Sequence, residues 1–155
     1  MDENLLKWLR SNQKRSFESP RGAIFKTKTQ RFRIVEVNET KGIVKIEFSK
    51  QFTELRLEFW RFETALELLN KNRGKWTRLG TRFNSDDPDT IEWQIQQKAR
   101  QAHPGRHVDL KSAPHVCDIL VLSGIAEYGR ATNPITKRKN QAIKLVEPQH
   151  AREEL

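Results

Sequence analysis

The sequence predicts an α+β fold: a small antiparallel β-sheet, then helices, then a closing β-hairpin. Three observations carry this expectation. Residues 43–48 and 54–60 alternate apolar and polar side chains with period two. Near Arg61 the apolar spacing changes to that of a helix. Residues 125–128 and 142–146 are two short apolar arms around a polar middle. Period two marks a sheet with one buried and one wet face, and period 3.6 marks a helix burying a single stripe.

Each element has its own local cause. Residues 2–10 place Leu5, Trp8 and Leu9 on one side of a short helix. Ser19-Pro20-Arg21-Gly22 is a loop signal. The stretch FRIVEV (32–37) is rich in β-formers but alternates imperfectly, and NETKG (38–42) is a hairpin loop ending in glycine. Val44, Ile46 and Phe48 then face one way, as do Leu55, Leu57 and Phe59 in the next run, with Trp60 on the polar parity. Short connections make an antiparallel three-stranded meander the economical arrangement. Phe62, Ala65, Leu66 and Leu69 form the stripe of a helix over 62–72, and Gly74 ends it. KWTRLG (75–80) is a short extended piece with Trp76 and Leu79 as buried contacts. A helix over 88–102 has Asp87 as N-cap and Pro88 in its first turn, with Ile91, Ile95 and Ala99 on one face. HPGRHVDLK (103–111) is a loop, Ser112 caps a third helix over 113–123, and Gly124 ends it.

From Arg61 the order is helix, short strand, helix, turn, helix, strand, loop, strand. That order, with the phrase DILVLSGIAEYGR followed by QAIKLVE, resembles a winged helix-turn-helix domain over roughly residues 61–148. The full expectation is a small antiparallel β-sheet followed by a winged helix-turn-helix. Residues 1–60 are then a basic segment with the three-stranded sheet, 61–148 the winged-helix-like domain and 149–155 a tail. A small basic sheet before such a domain is also similar to specificity modules of prokaryotic restriction and mobile-element proteins. The resemblance implies a wing over residues 130–141. Its Arg130, Thr132, Asn133, Lys137, Arg138 and Lys139 would meet phosphates or lie along a minor groove. It also implies that the third helix offers Lys111, Ser112 and His115 to a major groove, its N-terminus being a phosphate seat. This chain departs from the pattern at one point: residues 113–123 carry no Arg, Lys, Asn or Gln, the side chains that usually read bases. Val121 and Leu122 are apolar beyond the needs of a core face, so that helix could instead serve a protein partner or self-association.

Charge points the same way. The 155 residues carry a formal net charge of +9, with a pI of about 9.9. Residues 19–34 hold Arg21, Lys26, Lys28, Arg31 and Arg33 and no acid. Residues 128–144 hold Arg130, Lys137, Arg138, Lys139 and Lys144, again without an acid. Such a balance favours a polyanionic partner, double-stranded DNA first and RNA second. A basic surface without any partner is the plain competitor. No apolar run approaches the roughly 20 residues of a membrane span and residues 1–15 lack the apolar core of a signal peptide. A cytoplasmic protein without membrane contact is expected.

The residues with catalytic or metal potential are read as structural. Pro88-Asp89 reads as a helix cap and Glu39-Thr40-Lys41 as a hairpin turn; a second Asp-x-Lys triplet, Asp109-Leu110-Lys111, follows Pro88-Asp89 but lies in the 103–111 loop and not on a predicted strand, where a metal-dependent nuclease carries it. His103, His107, His115 and Cys117 have no zinc-site spacing. Cys117 beside an apolar run reads as a buried inert thiol. Trp60, Trp76 and Trp93 could stack on a base, Trp60 best placed of the three, though packing accounts for each. The expectation is a non-enzymatic DNA-binding protein with no metal and no cofactor. RNA binding and a protein-interaction role on the same scaffold are the alternatives.

Overall fold

The computed structural model describes residues 1–49, 53–80, 87–104 and 111–147. Expectations for the loop at 105–110, including His107, and for the tail at 149–155 lie outside the described residues. Among these residues the chain is α+β, with five helices and two antiparallel sheets.

Helix α1 (Glu3–Ser11) begins where the carboxylate of Asp2 accepts a hydrogen bond from the Leu5 N–H at 2.9 Å, and it buries Leu5, Leu6 and Leu9. Strand β1 (Ser16–Glu18) follows, and then helix α2 (Pro20–Phe25). Neither was legible. The Ser-Pro-Arg-Gly loop signal is instead a helix start, with Pro20 in the first turn, where its missing N–H costs nothing. Strands β2 (Arg31–Asn38), β3 (Ile43–Phe48) and β4 (Thr53–Glu58) complete a sheet of order β1-β2-β3-β4. The sheet therefore has four strands rather than three. The imperfect alternation of 32–37 also has a cause. The β2–β3 register jumps between Ile34 and Glu36, the mark of a bulge, so the face parity changes at Val35.

Helix α3 (Phe59–Lys71) starts one turn earlier than the apolar stripe suggests, and β4 ends at Glu58. Trp60 is thus helical. Its indole N–H donates to Glu58 at 3.1 Å and the Arg61 guanidinium lies 4.5 Å from its ring, so the side chain has a structural role at the start of α3. Strand β5 (Thr77–Arg78) leads to helix α4 (Ile91–Ala102). The cap of α4 is Thr90, whose hydroxyl accepts from the Trp93 N–H at 3.2 Å. Asp87 instead accepts from the Asp89 N–H at 3.2 Å and closes a turn around Pro88. Helix α5 (Ala113–Leu122) follows Ser112, and Gly124, at φ +81°, releases the chain into the last hairpin. That hairpin pairs β6 (Ala126–Thr132) with β7 (Lys139–Leu145), and β5 joins β7 on its other edge, giving the order β5-β7-β6. The arms are longer than the apolar runs, so only residues 133–138 form the connecting loop.

One buried apolar cluster links Ile34, Val44 and Leu57 of the first sheet with Phe62 and Leu69 of α3, Ile95 of α4, Ile119 of α5 and Ile143 of β7. Val121 and Leu122 are half-buried against it. The apolar excess of α5 therefore contributes to packing. Trp76 is 37 % exposed rather than buried. Its indole lies across Gly129 of β6, where an added Cβ would stand 2.8 Å from Cζ2, so any larger residue there would have to displace the ring. The Lys144 ammonium sits 4.5 Å from the same ring. No described helix is long and apolar enough to cross a membrane.

Candidate nucleic-acid interface

The basic residues sort into those used inside the protein and those offered to solvent. Arg21 belongs to the first group. It grips Asp118 of α5 with two hydrogen bonds, at 2.9 and 3.1 Å. The Ser19 hydroxyl donates to the same carboxylate at 2.8 Å and the Tyr128 phenol at 2.6 Å. Asp118 is 1 % exposed, and Arg21 is 19 % exposed at its side chain. Burial alone would pull the Arg21 pKa down, but the Asp118 hydrogen bonds and charge outweigh it and the net shift is upward. Tyr128 is pushed up, first by burial and then by its neighbours. This cluster ties α2, α5 and β6 together. A signal for it exists in the sequence, because Asp118 is the one acid in a helix otherwise without charged Asp, Glu, Lys or Arg. Such an acid needs a cation.

Arg31 and Arg33 are expected as part of an acid-free zone. The sheet register changes their surroundings. Arg31 stands opposite Glu18, and Arg33 opposite Glu47, which in turn faces Glu54. Directly opposed residues share a face and interact. A run without acids along the chain is therefore not a surface without acids. Lys26 and Lys28 remain exposed on the loop after α2. Phe25, just before them, packs on Tyr128 at 5.3 Å, and the Arg130 guanidinium lies 5.2 Å from its ring. The structure thus brings the α2 loop to the base of the hairpin.

The N-terminus of α5 is already taken. The buried carboxylate of Glu92 accepts the Ala113 N–H at 3.1 Å, supplying an internal anion where an external phosphate was expected. Burial pushes the Glu92 carboxyl pKa up, against the pull of that N–H and of Gln96. Ser112 is fully buried and its hydroxyl accepts from Arg61 at 3.0 Å. Lys111 is half-buried beside it. His115 packs against Phe48 with ring centroids 5.0 Å apart. Ser112 therefore faces inward, while His115 is half-buried against Phe48. Cys117 is wholly buried and its thiol pKa is pushed up, first by burial and then by Asp118.

His115 makes the fold sensitive to acid. Its pKa is lowered to about 4, chiefly by burial, with Arg21 and Lys111 adding to the shift and Asp118 opposing it. An unfolded histidine titrates near 6.5. Between those values the unfolded chain binds the proton and the folded chain does not. Stability is therefore full above the unfolded pKa and falls as pH drops toward about 4, by an amount on the order of 3 kcal/mol. Denaturant unfolding at about pH 7 and about pH 4.5 is expected to show this loss. His115→Asn should flatten that part of the slope; an unchanged slope would assign it to the carboxylates instead.

The hairpin loop is built differently. Asn133 organises it. Its side-chain oxygen accepts from the N–H of Ile135 at 2.9 Å and of Thr136 at 3.2 Å, and its amide donates to Asn140 at 3.2 Å. Its backbone exchanges hydrogen bonds with Arg138 and Lys137 at 2.8 and 2.9 Å. Lys137 turns the chain at φ +63°. Arg130, Thr132, Lys137, Arg138 and Lys139 are all exposed. An open cleft of about 870 Å³ lies between this hairpin and the 87–90 turn, lined by Arg78, Asp87, Asp89, Arg130, Arg138 and Lys139 among others. Asp87 pairs with Arg78 at 2.5 Å. The carboxylates on that wall disfavour a polyanion inside the cleft, so the tip of the hairpin is the more favourable cationic edge.

No family model, no curated protein and no solved structure matches the chain. Among the described residues no group of three His, Cys, Asp or Glu side chains converges to hold a metal ion.

Proposed function

We propose that the chain is a non-enzymatic, winged-helix-type module that binds double-stranded DNA through its backbone. The observation that carries the reading is the hairpin of β6 and β7, which holds Arg130, Lys137, Arg138 and Lys139 in solvent with no acid in its own sequence from 128 to 144. The order α3, β5, α4, α5, β6, β7 and the sheet order β5-β7-β6 favour the winged-helix comparison. Lys26 and Lys28 add a second exposed pair beside the hairpin base. Base reading by α5 is not part of the proposal, because Glu92 accepts the Ala113 N–H at its N-terminus and Ser112 is buried against Arg61. The expected binding is therefore tolerant of sequence and dominated by phosphate contacts.

The test is a binding isotherm on duplex DNA over a range of salt. Log affinity should fall linearly with log salt, by about 0.9 for each phosphate neutralised. Affinity that stays flat from low to physiological salt would rule the backbone reading out. A structured RNA in the same assay serves as competitor, and tighter binding to it would move the assignment to RNA.

A further inference from the structure

We propose that Ile135, at the tip of the hairpin, is an apolar wedge that enters a base step of duplex DNA from the minor groove. This rests on the duplex reading above and adds a specific act to it. Ile135 is 83 % exposed, the most exposed of the large apolar side chains among the described residues. A single exposed aliphatic residue is common on protein surfaces and means little by itself. Here the loop that carries it is clamped by its own hydrogen bonds, and the side chain is among those that line the open cleft facing the 87–90 turn. Asn133 accepts the Ile135 and Thr136 N–H groups, bonds Asn140 across the strands and exchanges backbone bonds with Lys137 and Arg138. The Thr136 hydroxyl accepts the Arg138 N–H at 3.3 Å. Pro134 fixes the preceding backbone angle. A β-branched side chain on such a turn has few rotamers to lose on binding.

The surroundings indicate what the tip meets. Lys137, Arg138 and Lys139 follow within four residues and are exposed. Three cations suit the phosphates flanking a groove, while one aliphatic group suits the gap opened at a single base step. Isoleucine and proline are among the side chains that proteins insert there, partly unstacking the bases and bending the duplex. A membrane surface would call for a broad apolar face, and this tip has one aliphatic side chain beside a proline. Pyrimidine–purine steps, the easiest to open, should be preferred.

The experiment uses duplexes with 2-aminopurine beside a central TA step, titrated with the parent chain and with the Ile135→Ala and Ile135→Met variants. The parent should raise the fluorescence as the reporter base unstacks. Ile135→Ala should abolish that rise and weaken binding about ten-fold, because less apolar surface is buried. The salt slope should not change, because every phosphate-facing cation is still present. Ile135→Met should retain much of the signal. Duplex binding by the parent with no fluorescence change, or with Ile135→Ala equal to the parent, would overturn the wedge and leave the backbone reading intact. Failure of the parent to bind duplex at any salt would overturn both. An Ile135-dependent attachment to phosphatidylserine vesicles, with duplex binding unaffected by the substitution, would overturn the wedge in favour of a lipid surface.

Discussion

Replacing Asp118 with alanine is expected to destabilise the protein by about 3–5 kcal/mol, the usual consequence of removing one partner of a buried ion pair. The carboxylate is 1 % exposed and accepts from Arg21, Ser19 and Tyr128. Its loss leaves the Arg21 guanidinium without its counter-ion and two hydroxyls without acceptors in a place water reaches poorly. Small domains hold only about 5–15 kcal/mol in total, so the variant should unfold at a much lower denaturant concentration. Asp118→Asn keeps the volume and part of the hydrogen bonding and should fall between parent and alanine. Equilibrium unfolding in urea measures all three. A loss below about 1 kcal/mol for Asp118→Ala would mean that the cluster is not the tie between α2, α5 and β6 described above.

Changing Lys137, Arg138 and Lys139 together to alanine should act on binding instead of stability. Each phosphate that is no longer neutralised should make the salt slope shallower by about 0.9, and three of them should cost roughly a hundred-fold in affinity near 0.15 M salt. The weakening should be similar on every duplex sequence, because phosphates carry no base identity. Stability should shift by no more than about 0.5 kcal/mol per site, since all three side chains are exposed. Parallel isotherms for parent and variant decide it. Equal affinity across the salt range would reduce the hairpin to a solvated loop.

The elements of this protein were largely legible because each is encoded by its neighbours along the chain. Alternation at Val44, Ile46 and Phe48 sets which face of β3 is buried, and it does so without reference to any distant residue. Gly124 stops α5 because its backbone angle suits glycine. Even the bulge at Val35 was present as a flaw in the alternation. Local signals were weaker where a short element depends on a partner. Strand β1, three residues long, exists because β2 lies beside it, and α2 is held by Asp118 on α5.

The fate of the charges was decided by the tertiary structure alone. Arg21 and Asp118 are 97 residues apart in sequence, and Glu92 reaches the start of α5 across 21. Composition counts charges and runs of like sign, but desolvation makes a buried charge seek the nearest opposite charge in space. That is why Arg21 left the expected interface, whereas Arg31 and Arg33 lie opposite acids because the strand register puts them there. The hairpin cations Lys137, Arg138 and Lys139 stayed exposed, since they sit in and beside the loop at the end of a two-stranded hairpin. The sequence alone thus determined the layers of this protein and the charge of its hairpin, and folding decided which other cations still face solvent.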